Sequence, residues 1–234
     1  MSKTLVFMPA FNEVNSIASV ISGIQSLGLD LDILVVDDGS SDNTGGIARA
    51  LDADTVTLPI NLGIGAAVET GYKYATNLGY DYVIRIDADG QHDPKYIPQI
   101  LEQLQHYDIV LTTRFTDKND YPIGLIRKWS IIFLSHMLSW AAPIKITDAT
   151  NSYRGTNARA AKFLAENSQA EFMTDAIDVL AYALKAGYSV VQIPIDMRVR
   201  QSGEPSQNLL KLIYHMLRTL ISLVVIMTTR KGEI

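Results

Sequence analysis

The sequence predicts one α/β domain with a mostly parallel sheet flanked by helices, of the Rossmann-like kind. Its first half alternates short apolar strands with helical patterns in the order β-α-β-α-β-α-β-α-β, joined by short loops. With 234 residues, the chain is long enough to bury one large core. Polar motifs follow the strands at 9–13, 37–44 and 87–93. Parallel sheets bind ligands beyond the carboxyl ends of their strands, so these motifs are expected to form one site.

The elements of the first half follow from apolar runs and helical periodicity. The second strand is apolar on both faces, as in a parallel sheet that is covered by helices. Apolar side chains at positions 17, 20, 21 and 24 fall at helical spacing. The predicted strands are 5–8, 33–36, 55–58, 82–87 and 109–112. The predicted helices are 14–27, one from Ser41 or Asp42 to about 51, 66–77 and 94–105.

The second half is less regular, and its elements are predicted more coarsely. A helix is expected at 123–141, a short polar strand or turn at 148–155, and helices at 157–166 and 174–186. An apolar strand at 189–195 precedes a polar, basic loop at 198–207. We therefore expect a catalytic domain over 1–207, followed by an amphipathic or interfacial helix and tail over 208–234.

Composition and charge limit the classes of function. The net charge of −5 gives no broad cationic surface for nucleic acid. The chain has no cysteine, which excludes disulfides and thiolate metal sites. Its first residues run directly into a strand and lack the apolar core of a signal peptide, so a cytoplasmic protein is expected. Residues 131–144 are too short to span a membrane, and 209–229 carry three basic or titratable side chains in their first half.

Two carboxylates stand at the end of the fourth strand and just beyond it. If the strand geometry continues, Asp87 and Asp89 point to the same side. Carboxylates that converge favour a hard divalent cation, Mg²⁺ or Mn²⁺, completed by substrate phosphates. Gln91 adds a neutral oxygen, and His92 and Asp93 are further candidates. The alternative is an ordinary polar loop after a buried strand.

Taken together, four ordered motifs resemble those of family 2 glycosyltransferases of the GT-A fold. Within that family they are most similar to dolichyl-phosphate mannose synthase and the bacterial polyprenyl-phosphate glycosyltransferases. The resemblance extends over residues 4–207. The motifs are Pro9-Ala10-Phe11-Asn12-Glu13, Val35-Val36-Asp37-Asp38-Gly39-Ser40-Ser41-Asp42-Asn43-Thr44, Asn61-Leu62-Gly63 and Asp87-Ala88-Asp89-Gly90-Gln91-His92-Asp93-Pro94.

The resemblance implies a nucleotide-sugar pocket with a metal beside it. Asp37 and Asp38 would hold the nucleobase and ribose. Asp89 and Gln91 are the favoured metal ligands, and Asp87 would be another, directly or through water. His92 would shape the loop. The residues expected to bind the nucleotide sugar are Pro9, Ala10, Glu13, Asp37, Asp38, Gly39, Gly63, Asp87, Ala88 and Asp89.

The acceptor side is implied by the same resemblance. Arg114 and Arg127 would meet an acceptor phosphate, which arginine binds bidentately, although either could be a solvated surface residue. Arg200 would hold the diphosphate when its loop closes, although the lysine usual in that loop is missing. Asp178 matches the acidic residue of a later helix, with no assigned role as a base. With Asp89, these four form the expected catalytic set.

One segment departs from the family pattern. Where the family usually has Asp-Pro-x-Ser-Gly-Phe/Tyr-Arg, this chain has Asp148-Ala149-Thr150-Asn151-Ser152-Tyr153-Arg154. Asp148 and Arg154 match, but Asn151 and Ser152 replace serine and glycine. The geometry of the turn is therefore not implied by the resemblance.

The expected function is metal-dependent, inverting transfer of a sugar from UDP-glucose, UDP-N-acetylglucosamine or GDP-mannose to undecaprenyl or dolichyl phosphate, for cell-envelope glycan synthesis. The enzyme would lie on the inner face of the membrane. A small membrane protein could supply its anchor, and an oligomer is left open. The alternatives are a same-fold enzyme acting on a saccharide or protein hydroxyl, a nucleotidyltransferase and a non-catalytic scaffold. The last two are disfavoured by the absence of a glycine-rich first loop and by the intact Asp87, Asp89 and Gln91.

Overall fold

The structure, a computed structural model, describes residues 2–115, 146–148, 150–167 and 176–198, together with residues 132, 133, 135, 136, 138 and 139. For residues 176–179 it describes the backbone alone. These residues form a seven-stranded sheet in the order β3-β2-β1-β4-β6-β5-β7. The strands are β1 (Thr4–Ala10), β2 (Asp32–Asp37), β3 (Asp54–Thr57), β4 (Tyr82–Arg85), β5 (Ile109–Thr113), β6 (Arg154–Asn157) and β7 (Val190–Pro194).

The sheet is mostly parallel, with one exception. Strands β3, β2, β1 and β4 are parallel neighbours, as are β5 and β7. Strand β6 lies between β4 and β5 and runs antiparallel to both. It brings the chain that precedes it back to the edge of the sheet where β4 and β5 end. The predicted fold class is therefore confirmed, and the polar segment at 148–155 leads into an antiparallel strand.

Helices cover both faces of the sheet. They are α1 (Ile17–Gln25), α2 (Thr44–Ala50), α3 (Ile64–Asn77), α4 (Ile97–Leu104), α5 (Ala158–Asn167) and α6 (Ala176–Lys185). Apolar side chains of α1, α2 and α4 pack on one face, against alternate residues of β1, β2 and β4. Helices α3 and α5 pack on the other face, against the remaining residues of the same strands. Burial on both faces explains why the strands read as continuous apolar runs.

The boundaries correct two expectations from the sequence. Strand β4 ends at Arg85, before the carboxylates, so strand alternation does not set the directions of Asp87 and Asp89. Helix α2 begins after Asn43, not after Ser41 or Asp42. The Asp42 carboxylate instead accepts a hydrogen bond from the Thr44 amide at 2.9 Å.

Several predictions lie outside the described residues. They are Arg127, Arg200, the side chain of Asp178, most of the helix expected at 123–141 and the segment 208–234. The boundary between 1–207 and 208–234 therefore stays a prediction. In the part of the chain that the structure describes, no helix combines the length and apolar composition needed to cross a membrane.

Candidate active site

The loops that follow β1 and β2 are tied together by side chains that bond to backbone amides. The Asn12 amide donates to Ser40 Oγ at 3.0 Å, and Asn12 Oδ1 accepts from the Ser41 amide at 2.9 Å. The Glu13 amide donates to Thr44 Oγ1 at 2.9 Å. Asn12 has a positive φ of 56°, which asparagine tolerates better than most residues. The first two motifs therefore form one rigid pair of loops.

Two buried carboxylates hold the turns around this pair. Asp37 Oδ1 accepts from the Ser40 amide at 3.0 Å. Asp38 accepts from the amides of Leu62 and Gly63 with its two oxygens, each at 2.8 Å. The third motif is thereby joined to the second. Whether Asp37 and Asp38 also hold a nucleotide stays a prediction, but their carboxylates already organise the loops that would surround one.

Gly39 makes the contact between these loops possible. Its φ is +70°, and a Cβ built there would lie 2.6 Å from the carbonyl carbon of Ile60 and 2.8 Å from the amide nitrogen of Asn61. Both the backbone conformation and the close approach require glycine. The Asp-Gly pair is therefore more than an isolated turn, because it seats the second motif on the third.

The fourth motif forms a loop after β4 that we call the metal loop, residues 87–93. Within it, the Gln91 amide donates to Asp89 Oδ1 at 3.0 Å, which sets the turn between the two residues. Asp87 Oδ2 accepts a short hydrogen bond from the Ser152 hydroxyl. The other oxygen, Asp87 Oδ1, lies 3.5 Å from the Arg85 guanidinium and is buried without a hydrogen bond.

His92 holds the metal loop in place through hydrogen bonds at both of its ring nitrogens. Its ring is buried and accepts from the Asp87 amide at Nδ1, at 3.2 Å. Its Nε2 lies 3.1 Å from Asn151 Oδ1, which also accepts from the Tyr153 amide. We therefore assign the neutral tautomer that carries its proton on Nε2. Burial lowers the pKa of His92, which favours this neutral form. Both ring nitrogens are engaged, so His92 shapes the loop.

The surroundings of Asp87 favour its ionised form. Burial alone would raise the pKa of its carboxyl group, but the Arg85 guanidinium and the hydrogen bond from the Ser152 hydroxyl hold that pKa below its ordinary value. Arg154 contributes in the same direction. Asp87 is therefore a carboxylate at neutral pH.

The donor groups of the metal loop fit a divalent cation that also binds a ligand phosphate. Among the residues described, no group of three or more His, Cys, Asp or Glu side chains could hold a metal ion. The loop instead offers the partly exposed side chains of Asp87, Asp89 and Gln91, with one carboxylate oxygen of Asp87 lacking a hydrogen bond. Mg²⁺ and related cations are bound in this way, by one or two carboxylates with phosphate oxygens completing the shell. The residues present therefore fit such a metal.

A buried ion pair lies at the end of β5. Arg114 Nε donates to Asp148 Oδ2 at 2.7 Å, and both side chains are buried. Asp148 Oδ1 accepts from the Thr150 hydroxyl at 3.0 Å, and its backbone carbonyl accepts from Gln192 at 3.0 Å. Arg114 is therefore not a solvated surface residue, and the alternative that the sequence left open is excluded. Contact with an acceptor phosphate stays a prediction.

Two further arginines lie behind the metal loop. Arg85 was missed from the sequence, and Arg154 was noted only as a match to the family pattern. Arg85 and Arg154 are buried, and they are direct partners in the register of β4 and β6. Like charges in this position repel each other. The Arg85 guanidinium approaches Asp87, and Arg154 donates to the Asn151 carbonyl at 3.3 Å. An arginine inside an otherwise apolar strand was the feature of the sequence that could have identified Arg85.

The chain after β7 is fastened to the metal loop. The Arg198 amide donates to the Gln91 carbonyl at 2.8 Å, and its guanidinium lies 2.9 Å from Asp93. The Asp196 amide donates to the Tyr96 hydroxyl at 2.9 Å. The last described residues before Arg200 are therefore anchored beside the metal loop. This anchor was not expected from the sequence.

The structure brings the predicted residues together in two groups. Asp37, Asp38, Gly39 and Gly63 meet beside β1 and β2. The metal loop, Asp148 to Arg154 and Arg114 meet beside β4, β6 and β5. Arg127, Arg200 and the side chain of Asp178 are not placed, because they lie outside the described residues.

Comparison with known proteins assigns these features to one family. The model of "Glycosyl transferase family 2" matches residues 5–163. An undecaprenyl-phosphate mannosyltransferase from Micrococcus luteus is 26% identical over 216 residues, which cover 86% of each chain. A polyprenol monophosphomannose synthase from Mycolicibacterium smegmatis is 28% identical, over 86% of this chain and 79% of its own. A UDP-N-acetylglucosamine–dolichyl-phosphate N-acetylglucosaminyltransferase from Methanococcus voltae is 27% identical, over 83% and 86%.

Solved structures share the fold. Glucosyl-3-phosphoglycerate synthase from Mycobacterium tuberculosis, in complex with UDP, superimposes with a TM-score of 0.72 at 18% identity, over 99% of this chain and 82% of the other. The same enzyme with Mn²⁺, UDP and phosphoglyceric acid also gives a TM-score of 0.72 at 18% identity, over 99% and 80%. At this identity, the likeness shows the fold alone.

Proposed function

Because the chain belongs to glycosyl transferase family 2, we propose that it transfers one sugar from a nucleotide sugar to a polyprenyl phosphate at a membrane surface. The observation that carries this proposal is the similarity to three relatives along most of their lengths. Their names share a prenol phosphate, whereas the sugars named are mannose and N-acetylglucosamine. The acceptor class is thus the common element, and the sugar is left to experiment.

The donor is proposed to bind at the carboxyl ends of β1, β2 and β4. Asp37 and Asp38 would face the nucleobase and ribose, and Pro9, Ala10, Glu13, Gly39, Gly63 and Ala88 would complete the pocket. The support is that the loops carrying the first three motifs are held rigidly against one another. A rigid pocket loses little conformational entropy when it binds a ligand.

Asp89 and Gln91, with Asp87 directly or through water, are the residues proposed to hold Mg²⁺ or Mn²⁺ beside the donor diphosphate. The support is the oxygen donor set of the metal loop. Such a cation neutralises charge that develops on a leaving diphosphate. The described residues contribute the geometry, because His92 and Ser152 fix the loop that carries the ligands.

The acceptor phosphate is proposed to attack the anomeric carbon from the face opposite the leaving nucleoside diphosphate. The new bond joins a phosphate oxygen to that carbon, the bond to the β-phosphate breaks, and the configuration inverts. A phosphate monoester has a second pKa of about 6, so it is already a nucleophilic anion at neutral pH. No general base is needed, and none is assigned to Asp178. The acceptor chiefly needs orientation and neutralisation of its charge.

Arg114 and Arg127 are proposed to provide that neutralisation, and Arg200 to contact the diphosphate. Arg114 lies in the described part of the chain, where Asp148 holds its Nε and so fixes the direction of the guanidinium. A guanidinium fixed in this way loses little entropy when it binds an anion. The support for Arg200 is that Arg198, two residues earlier in the sequence, is anchored beside the metal loop.

Contact with the membrane is proposed for the helix that the sequence predicts at 123–141. Among its described residues, Ile132 and Phe133 are 42% and 49% exposed, whereas Ser135 and Leu138 are buried. Exposed apolar side chains on one side of a helix suit an interfacial position on a lipid surface. We place this surface on the inner leaflet, with segment 208–234 as a second contact and a small membrane protein as a candidate anchor.

The proposal is tested with a panel of donors. The protein is incubated with Mn²⁺ or Mg²⁺ and undecaprenyl phosphate in detergent, with UDP-glucose, UDP-N-acetylglucosamine and GDP-mannose in separate reactions. We expect transfer to the lipid from one donor and none after chelation of the metal. Asp89→Ala should abolish transfer. Asp30→Ala, which removes an exposed carboxylate after α1, is the matched control and should retain it.

Two outcomes would overturn the proposal. Transfer from a nucleotide sugar to a saccharide or protein hydroxyl, but not to the lipid, would assign a different acceptor class. Full transfer by Asp89→Ala would remove the metal loop from the reaction. For the membrane contact, flotation of the full chain with anionic liposomes should succeed, and Ile132→Ser/Phe133→Ser should weaken it. Binding only in the presence of a membrane protein would instead assign the contact to that partner.

A further inference from the structure

We propose that Asn151 and Ser152 are positioning residues that hold the metal loop in its ligand-presenting conformation. We call this pair the 151–152 bridge. The inference deepens the proposed function, because it concerns how Asp89 and Gln91 are presented to the metal and the donor. It rests on two side chains that depart from the family pattern and on the contacts that they make.

The bridge joins segments that are distant in the sequence. The Ser152 hydroxyl donates to Asp87 Oδ2, 65 positions away. Asn151 Oδ1 accepts from His92 Nε2, 59 positions away. The two contacts therefore reach both ends of the metal loop, residue 87 at its start and residue 92 near its end.

The register of the sheet explains why Ser152 meets Asp87. Arg85 and Arg154 are direct partners in the antiparallel pair of β4 and β6. Two residues further along each chain, away from the strands, lie Asp87 and Ser152. Counted outward from that last pair, these two residues stand opposite each other, beyond the end of both strands. The side-chain bond thus continues the pairing past the point where the backbone ladder stops, and it does so where the metal loop begins.

The residues typical of the family cannot make the same contacts. Glycine at 152 has no hydroxyl to donate to Asp87. Serine at 151 ends one bond nearer to the backbone than the Asn151 carbonyl oxygen that meets His92. The two contacts therefore depend on the residues that this chain has at 151 and 152. Its two substitutions are adjacent, and both contact the same loop.

The effect on the metal ligands is indirect. Ser152 occupies one oxygen of Asp87, and His92, held by Asn151, fixes the Asp87 amide. Both constraints act two residues before Asp89, so they set the start of the turn that presents Asp89 and Gln91. Groups that orient metal ligands without touching the metal typically change metal affinity or activity by roughly 10- to 100-fold when removed.

The test uses Ser152→Ala, the double variant Asn151→Ser/Ser152→Gly and the rescue variant Ser152→Thr. Thr76→Val is the matched control, because Thr76 is a partly buried hydroxyl that bonds only within α3. Mn²⁺ affinity is measured by electron paramagnetic resonance in the presence of UDP. Amide exchange of residues 87–93 is measured by mass spectrometry in the ligand-free protein.

We expect Ser152→Ala to weaken Mn²⁺ binding about 10-fold, and the double variant to weaken it further. Exchange in the metal loop should rise in both. Ser152→Thr should restore both measurements towards wild type, and Thr76→Val should change neither. In the transfer reaction, kcat should fall while the KM for the lipid stays within about two-fold, because the bridge acts on the metal loop.

Unchanged Mn²⁺ affinity and unchanged exchange in the double variant would overturn the inference. A rise in the KM for the lipid without any change in Mn²⁺ affinity would do so as well, because Ser152 would then be an acceptor contact. A failure of the proposed function would give a different result from a failure of the bridge. If the wild type binds Mn²⁺ with UDP but transfers no sugar to lipid, the acceptor assignment falls, while the affinity and exchange data still support the bridge.

Discussion

The loops after β1 and β2, on the proposed donor side, and the segments beside β6 and β5, on the proposed acceptor side, lie at the same edge of the sheet. They are held by different interactions. Beside β1 and β2, side-chain oxygens of Asn12, Ser40, Thr44 and Asp38 bond to backbone amides. Beside β6 and β5, buried charged side chains bond to each other, as in the Arg114–Asp148 pair.

The difference reflects what each region is proposed to bind. Amide-anchored turns form a neutral to acidic, rigid pocket, which suits the hydroxyls and base edges of a nucleotide. Buried arginines close to the surface of the site supply positive charge, which suits phosphate groups. The comparison predicts that the acceptor side is more sensitive to removal of a charge, and the donor side to a change in backbone geometry.

The largest effect is expected from breaking the Arg114–Asp148 pair. Asp148→Ala leaves a buried guanidinium without its carboxylate, which should lower the free energy of unfolding by about 3–5 kcal/mol in urea titrations. Glu166→Ala, which breaks an exposed pair with Lys162, is the control and should cost less than about 1 kcal/mol. Similar costs for the two variants would contradict the charge-based account of the acceptor side.

A double variant separates stability from function in this pair. Arg114→Met/Asp148→Leu removes both charges, so its stability should recover much of the loss seen in Asp148→Ala. Sugar transfer to the lipid should stay abolished, because the proposed acceptor phosphate then lacks Arg114. Transfer at the wild-type rate by the double variant would remove Arg114 from the acceptor site.

The next effect is expected from Asp38 on the donor side. Asp38→Ala removes the acceptor for two backbone amides, those of Leu62 and Gly63, and should lower the free energy of unfolding by about 3 kcal/mol. Asp38→Asn keeps one acceptor oxygen and should lose roughly half as much. UDP binding, measured by calorimetry, should weaken in both variants. If Asp38→Asn cost as much as Asp38→Ala, the negative charge would matter here too, and the contrast between the sides would weaken.

A smaller effect is expected from Gly39, and it isolates backbone geometry. Gly39→Ala meets the backbone of Ile60 and Asn61 at a φ of +70°, whereas Gly28→Ala has a similar φ of +63° with open space around it. Gly28→Ala should cost about 1 kcal/mol from the conformation alone, and Gly39→Ala about 2 kcal/mol or more. Equal costs in thermal or urea unfolding would mean that the contact with Ile60 is not tight.

The smallest effect concerns the dependence of stability on pH that Asp108 contributes at the start of β5, the end away from Arg114. Burial works against ionisation of Asp108, but hydrogen bonds from Ser189 and Asn157 and the charge of Arg159 hold the pKa of its carboxyl group below the ordinary value. Its contribution to stability is therefore complete above the unfolded pKa of about 4, and it is lost as the pH falls through the folded pKa. Asp108→Asn should lower stability at pH 7 and flatten the decline between pH 5 and about 3. If stability declined equally steeply below pH 5 in Asp108→Asn, Asp108 would not be a source of that decline.

Much of the fold was predictable because each parallel strand can be recognised from a short stretch of adjacent residues. The strands predicted at 33–36, 55–58 and 109–112 agree with β2, β3 and β5 to within one or two residues. The first and third are apolar runs, and the second alternates threonine with valine and leucine before a proline, so each pattern depends only on neighbours in the sequence. The predicted positions of Asp37, Asp38 and the metal loop at the sheet edge were confirmed for the same reason.

The parts that could not be predicted depend on contacts between distant segments. Arg85 stands out as an arginine in an apolar strand, but the sequence does not show that it approaches Asp87. Nothing local distinguishes Asn151 from an ordinary polar residue of a turn. The direction of Asp87 was expected from strand alternation, yet β4 stops at Arg85 and the partners Ser152 and His92 set that direction instead. Asn151 and Ser152 were noticed only as departures from a pattern.

By itself, the sequence determined the alternation of strands and helices, the order of the four motifs and the oxygen chemistry of the metal loop. Hydrophobic periodicity and residue type are read from neighbours, so they need no tertiary information. The tertiary structure alone decided that β6 runs antiparallel beside β4, that Arg114 is buried against Asp148, and that Ser152 meets Asp87. Those facts depend on the register and burial of segments tens of residues apart, because a side chain acquires a partner only when the sheet brings the two segments together.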